Sequence, residues 1–344
     1  MEIAKKGMPQ QIRFIIGNEA SERFSFYGMR SILVIFMTQY LFMKEHEAKG
    51  AFHYFAFANY FVPVFGAILA DRFWGKYKTI LYLSLFYCVG HGILALFESE
   101  QGLYAGLFFI ALGSGGIKPC VSAFVGDQFD EGNQHLIQKV YEIFYFSINF
   151  GSFFSTLLIP WTLKAYGPGI AFGIPGILMG VATLIFWLGR KEYVVVPPTG
   201  KEGGSRFFEI LSYALFNQKE RKPGQSFVDV AKNRFPESKV EGVKAALSIF
   251  SVFAAVTGFW ALYDQHGASW VLQADKMDRT VWGFHLEASQ IPAVNPILVM
   301  LLIPTFSLGI YPWLERLGMK VSPLRKMGAG MFLCALSFVW VGLL

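Results

Sequence analysis

Of the 344 residues, 54% are hydrophobic, 17% aromatic and only 16% charged, and the mean hydropathy is +0.42. Soluble domains carry about 25% charged residues, so this chain has too little polar surface to wet a globule of its size. The net charge of +6 does not indicate nucleic acid, because the basic residues lie in loops beside long apolar runs.

The N-terminus carries Lys5, Lys6 and Arg13 and runs into a span broken by charges, unlike the short apolar stretch of a cleavable signal peptide. Nine apolar spans are predicted, at about 14–43, 51–70, 77–97, 102–126, 138–163, 169–189, 244–263, 288–311 and 325–344. Cys88, Cys120 and Cys334 each lie in one of these runs without a pairing spacing, which reads as inert buried thiols.

The first span holds Glu19, Glu22, Arg23, Tyr27 and Arg30. Glu19, Arg23, Tyr27 and Arg30 fall on one helix face, with Glu22 beside the stripe. A charge in the hydrocarbon costs at least about 2.5 kcal/mol on insertion scales. Such residues either clamp helices together or line a pathway for ions or substrate. The second span carries His53 near its start and Tyr60 further along. A lone histidine at a span end is commonly interfacial, or it is a proton site. His91 in the third span reads as structural.

The fourth span contains Gly113-Ser-Gly115-Gly116-Ile-Lys118-Pro119. Its small residues permit close helix approach, and Pro119 frees a backbone carbonyl. Lys118 is a lone cation that either pairs with Glu19 or Glu22 or anchors a substrate carboxylate. These roles are compatible if substrate competes with a glutamate. The seventh span places Trp260 and Asp264 on one face; Asp264, near the span end, is either solvated or functional.

Between the sixth and seventh spans lies a polar segment, 190–243, with Pro197-Pro198, Gly203-Gly204 and Pro223-Gly224. It suggests two short amphipathic helices, near 205–217 and 226–235. Of the 30 Lys and Arg, Arg23, Arg30 and Lys118 lie inside spans, and only Lys44, Lys49, Lys164, Lys276 and Arg279 fall on the side opposite the N-terminus. The positive-inside rule then puts the N-terminus and the polar segment in the cytoplasm.

This organisation resembles the all-α major facilitator superfamily, in which two six-helix bundles surround a midplane cavity. It gives a six-helix N-terminal bundle over 1–189, a cytoplasmic linker over 190–243, and over 244–344 the first three helices of a C-terminal bundle. Such a bundle is incomplete and would leave one cavity wall open to lipid, so the expectation is a truncated chain.

Three motifs resemble the proton-dependent oligopeptide transporter family. Glu19-x-x-Glu22-Arg23-Phe24-x-Phe26-Tyr27-Gly28 is similar to the first-helix motif, with Phe26 for a common tyrosine. The run from Gly66 through Asp71, Arg72, Trp74, Gly75, Lys76 and Lys78 to Thr79 is similar to the loop signature after the second helix. Phe144-Tyr145-x-x-Ile148-Asn149-x-Gly151 is similar to the fifth-helix signature, with Phe150 for a smaller residue. Gly-Gly-Ile-Lys118-Pro, Phe259-Trp260-Ala-Leu-Tyr-Asp264-Gln265 and Val294-Asn295-Pro296 agree as well.

The resemblance implies proton coupling at Glu19, Glu22 and Arg23, with His53 as a proton-linked histidine and Asp264 as an outer-gate acid that pairs with the first-helix arginine. It implies that Lys118 and Arg30 receive a peptide carboxylate, that Tyr27, Tyr60, Asn149 and Trp260 line the pocket, and that Asn295 lies near the peptide amino end. Asp71 and Arg72 fall in a cytoplasmic gating loop. A tenth-helix glutamate expected for the amino group is outside this chain.

The implied activity is proton-coupled symport of di- and tripeptides and peptide-like molecules, with protons as the coupling ion and no other cofactor. The implied setting is a plasma or bacterial inner membrane. Fixed charges can hold the ends of a zwitterion while a roomy aromatic cavity tolerates its side chains. The same fold also carries nitrate or other small anions, or serves as a non-transporting receptor. Asn295, the aromatic pocket and the intact glutamates favour peptide. No H-E-x-x-H, G-x-S-x-G or complete P-loop is present, which argues against an enzyme.

Overall fold

A computed structural model describes residues 7–198, 206–281 and 283–343. The six helices of the first part are α1 (Ile12–Ile35), α2 (Glu45–Leu69), α3 (Lys76–Leu96), α4 (Glu100–Gly126), α5 (Ile137–Tyr166) and α6 (Pro168–Leu188). Then come α7 (Arg206–Phe216), α8 (Glu237–Tyr263), the short α9 (Ser269–Asp275), α10 (Val294–Pro304), α11 (Tyr311–Arg316) and α12 (Pro323–Leu343). One hairpin pairs β1 (Thr280–Val281) with β2 (Phe284–His285).

Each of the nine predicted spans falls on one of these helices. Among the described residues, seven helical segments are long and apolar enough to cross a membrane, or eight if Glu237–Ala254 and Val256–Asp275 form one bent span. The segment containing α1 falls outside that set and carries Glu19, Glu22, Arg23 and Arg30.

Local chemistry sets the helix ends. Ser99 caps α4 by accepting from the Gly102 N–H at 3.1 Å. Gly75, at φ 76°, turns the chain from a π-helical turn at Ala70–Trp74 into α3, a backbone conformation that costs a β-carbon residue energy.

The chain forms two compact units. The first comprises Met1–Pro198 with Gln265–Lys320. In it α1 packs on α5 and α6, α3 on α4 and α6, and α2 on α4. Its core includes the fully buried Tyr87, Phe36, Phe52, Phe124, Phe172 and Phe186. The predicted close approach at the fourth helix is present: a β-carbon at Gly66 would run into the Gly116 carbonyl oxygen. Gly151 does the same service between α5 and α1, where a β-carbon would lie 3.0 Å from the Ala20 carbonyl oxygen.

At one end of this unit the residues after α9 grip the ends of three helices. Gln39 donates to Asp275 at 2.8 Å, Lys276 pairs with Glu45 at 2.7 Å and Lys164 with Glu287 at 2.6 Å. Gln290 donates to the Leu157 carbonyl at 2.7 Å. At the other end Lys76 pairs with Asp127 at 2.7 Å, tying the start of α3 to the end of α4.

The second unit comprises Thr199–Asp264 with Val321–Leu344. There α7 and a 3₁₀ turn at Asp229–Asn233 pack on the start of α8 around Ile210, Ala214, Val228, Ala231, Val240 and Val243. The first predicted linker helix is α7. The second is only that single turn, because Gly224 (φ 85°) and Pro236 bracket too short a stretch, and the residue before a proline disfavours helix. Gly203-Gly204 lies outside the described residues. α12 packs on α8 and has no buried residue among those described.

Candidate functional site

The charged stripe of α1 faces the interior of the six-helix part. Glu19, Glu22 and Arg23 are all buried. Arg23 Nε donates to Glu19 Oε1 at 2.6 Å and lies 2.8 Å from Glu22 Oε2. The N–H points at Glu19, and Glu22 Oε2 has no hydrogen bond among the described residues. The other Glu22 oxygen accepts from Ser114 of α4 at 3.4 Å. Two carboxylates on one guanidinium leave the trio one negative charge in excess. A single proton would neutralise it, so the arrangement can take up and release a proton without stranding Arg23.

Lys118, also on α4, does not pair with either glutamate. Among the described residues no carboxylate lies within 4.0 Å of its ammonium. Its Nζ sits instead over the Phe26 ring, 4.3 Å from the centroid. That ring is buried, stacks on Phe55 of α2 at 6.2 Å and meets Tyr27 edge-on at 5.6 Å. The Phe26 ring thus gives Lys118 an aromatic face, a favourable seat for a cation that a tyrosine there would offer as well. One turn on, the Arg30 guanidinium lies 5.0 Å from the Phe52 ring centroid, and His53 is edge-on to the same ring at 5.6 Å. His53 is half-buried. Gly267 closes on Phe52 so tightly that a β-carbon there would lie 2.7 Å from its ring.

Asn149 is buried on α5 and donates to the Tyr145 carbonyl at 2.9 Å, two residues before the Gly151 contact with α1. Phe150 does not disturb that packing. It is 48% exposed and joins Phe146 and Phe154 in a row on the other side of α5. Tyr60 is 59% exposed on α2. Asn295 is half-buried in the first turn of α10.

Asp71 and Arg72 are exposed in the π-helical turn between α2 and α3, with Arg72 5.6 Å from the Phe73 ring. Trp260 and Asp264 belong to the second unit. Trp260 meets Phe259 and Tyr263 edge-on at 5.4 and 5.5 Å, and Asp264 is buried at the end of α8.

Three residues of this region were not singled out in the sequence. Ser114 bridges α4 to Glu22, and its place among glycines was the available signal. Asn18 and Asn59 are each buried with a side-chain oxygen that has no partner among the described residues. A polar amide inside an apolar span could have flagged both.

A family model described as the POT family matches residues 77–344. Solute carrier family 15 member 2 of Homo sapiens is 38% identical over 356 residues, covering 98% of this chain and 49% of the relative. Peptide transporter family 1 of Drosophila melanogaster is 40% identical over 348 residues, covering 96% and 47%. The chain spans about half the length of the curated relatives it matches. The crystal structure of an auto-inhibited POT family peptide transporter superposes with a TM-score of 0.87 at 42% identity, covering 97% of this chain and 75% of that one.

Proposed function

The chain belongs to the POT family, and on that premise we propose that it serves proton-coupled symport of di- and tripeptides by alternating access. The observation that carries this reading is the buried Glu19–Arg23–Glu22 trio beside a lysine whose counter-charge is left to a ligand. Lys118 and Arg30, each seated on an aromatic ring, are the cations for a peptide carboxylate. In the first unit Tyr27, Tyr60 and Asn149 line the pocket and Asn295 lies towards the amino end; in the second, the family resemblance assigns Trp260 to substrate contact. A proton arrives at Asp264 or His53, and Glu22 or Glu19 passes it inward as substrate leaves Lys118. Asp71 and Arg72 act in the gating loop.

On this reading residues 1–189 form the N-terminal bundle, 190–243 the linker and 244–344 part of the second bundle, in a cell membrane with the N-terminus cytoplasmic. The chain is a carrier and not an enzyme, and the proton is its coupling ion. The ties of Gln39, Glu45 and Lys164 to residues 275–287 hold together one end of the first unit, and alternating access would have to loosen them to open that side.

Counterflow of labelled dipeptide in proteoliposomes tests the substrate class. Unlabelled dipeptide is expected to compete and nitrate is not; the reverse result would make this an anion carrier. Lys118→Gln is expected to raise the KM for dipeptide by at least tenfold, since a charge-assisted hydrogen bond is worth about 1.5–3 kcal/mol. An unchanged KM would remove Lys118 from the site.

A further inference from the structure

Beyond α6 the chain stays fastened to the first unit for several residues. Pro197 and Pro198 disfavour helix at themselves and at the residue before each, and residues 193–198 run without helix or strand. Val194, Val195 and Val196 are exposed, yet the segment is held at three points.

The first point is Tyr193, which is buried. Its ring meets Phe124 of α4 edge-on at 5.1 Å and lies 5.2 Å from Phe186 of α6 and 6.0 Å from Tyr77 of α3. Its hydroxyl donates to the Phe186 carbonyl at 3.0 Å. Gly189 leaves room for that hydroxyl, since a β-carbon there would run into it.

The second point is Gln128, a buried residue just past the end of α4. Its Oε1 accepts from the Val194 N–H at 2.9 Å, and its Nε2 donates to the Val194 carbonyl at 3.1 Å. The same nitrogen donates to the Phe124 carbonyl at 3.0 Å. One side chain thus holds both backbone groups of Val194, as a neighbouring strand would. Val194 is 50% exposed, so water could serve those groups equally well. What the glutamine adds is a fixed register for the residues that follow.

The third point is where that register matters. A β-carbon at Gly75 would lie 3.5 Å from the Val196 carbonyl oxygen and 3.6 Å from Pro198 Cδ. Gly75 closes the Ala70–Trp74 turn that carries Asp71 and Arg72. Lys76, which follows it, is held by Asp127 at 2.7 Å. Two consecutive residues, Asp127 and Gln128, therefore grip the exit of the turn and the segment that lies against it.

We propose that residues 193–198 are a strap that sets the position of the Ala70–Trp74 turn and the rate at which the site opens on that side, with Gln128 and Tyr193 as its positioning residues. The effect on rate rests on the reading of Asp71 and Arg72 as a gating loop; the hold of the strap on the turn does not.

Hydrogen exchange and counterflow test the two parts separately in the whole protein. Gln128→Ala frees both backbone groups of Val194, and Tyr193→Ala withdraws the ring while leaving Gln128 in place. In nanodiscs each is expected to speed amide exchange about tenfold at 194–196 and several-fold at 71–75, with α1 unchanged. Unchanged exchange at 71–75 would overturn the proposal. So would a rise shared by α1, which would mean that the whole unit loosens. In proteoliposomes the same variants are expected to change the maximal rate of dipeptide counterflow by about twofold or more at an unchanged KM. An unchanged maximal rate alongside faster exchange at 71–75 would overturn the effect on opening. Absence of counterflow in the wild type would overturn it together with the transport reading, while exchange still decides whether the strap holds the turn.

Discussion

Replacing Glu22 by glutamine removes one charge from a trio whose geometry separates coupling from stability. Glutamine keeps the size and the hydrogen bond from Ser114, and Arg23 keeps its 2.6 Å bond to Glu19. No buried cation is stranded, so the loss of about 3–5 kcal/mol seen when a buried pair is broken is avoided. What is lost is the excess negative charge that, in the proposed mechanism, accepts the proton. Across a bilayer, one pH unit is worth about 1.4 kcal/mol per proton, or about tenfold accumulation of a co-transported solute. The wild-type transporter in proteoliposomes is expected to approach that ratio for a neutral dipeptide. Glu22→Gln is expected to equilibrate at a ratio near one while retaining counterflow, with its melting temperature close to wild type. Glu19→Gln is expected to melt lower, because the buried Arg23 Nε then bonds a neutral amide oxygen in place of the carboxylate that balances its charge. A Glu22→Gln protein that still concentrates dipeptide under a pH gradient refutes the coupling role of this carboxylate.

Three other perturbations follow from the contacts described. The pairs Lys276–Glu45 and Lys164–Glu287 are partly exposed and worth about 0.2–1 kcal/mol each, so Lys276→Gln with Lys164→Gln is expected to favour opening of that side by about two- to thirtyfold. Labelling of a cysteine placed at Ile35 by an impermeant maleimide reads this, and unchanged labelling would mean that the ties do not hold the closure. Gly66→Ala drives a β-carbon into the α4 backbone, whereas Gly50→Ala meets nothing within 4 Å; the first is expected to cost about 1–3 kcal/mol and lower the melting temperature, and the second to be neutral. In the linker, the Ser226 N–H and then Lys244 hold the Asp229 carboxyl below its ordinary value of 3.8. Its contribution is therefore complete above that value and lost as pH falls through the lowered one. A spin label at Ser238 is expected to gain mobility on acidification below about pH 4, and in Asp229→Asn to be mobile already at neutral pH.

The spans were legible because hydropathy and helical period are local properties. The ion pair of the first helix was legible for the opposite reason: charges in a run that must bury itself are tolerated only where something satisfies them, and the spacing of Glu19 and Arg23 already placed them in contact. What spacing could not decide was which acid would hold the arginine and what would hold Lys118. Both depend on which side chains of α4 reach α1, and α4 is placed by its packing on α2 and α3, where glycines act only when two backbones meet, as at Gly66 and Gly116. Charge alone left two roles open for Lys118, a pair with Glu19 or Glu22 or an anchor for a substrate carboxylate. In the structure Ser114 reaches Glu22 and the lysine rests on Phe26. The residue by which this chain departs from the family motif is thus the one that seats its lone cation. An aromatic face holds an ammonium without neutralising it, whereas a carboxylate would have done both. The phenylalanine and the small residues of α4 together leave Lys118 clear of any carboxylate contact among the described residues while it stands close to the acidic trio.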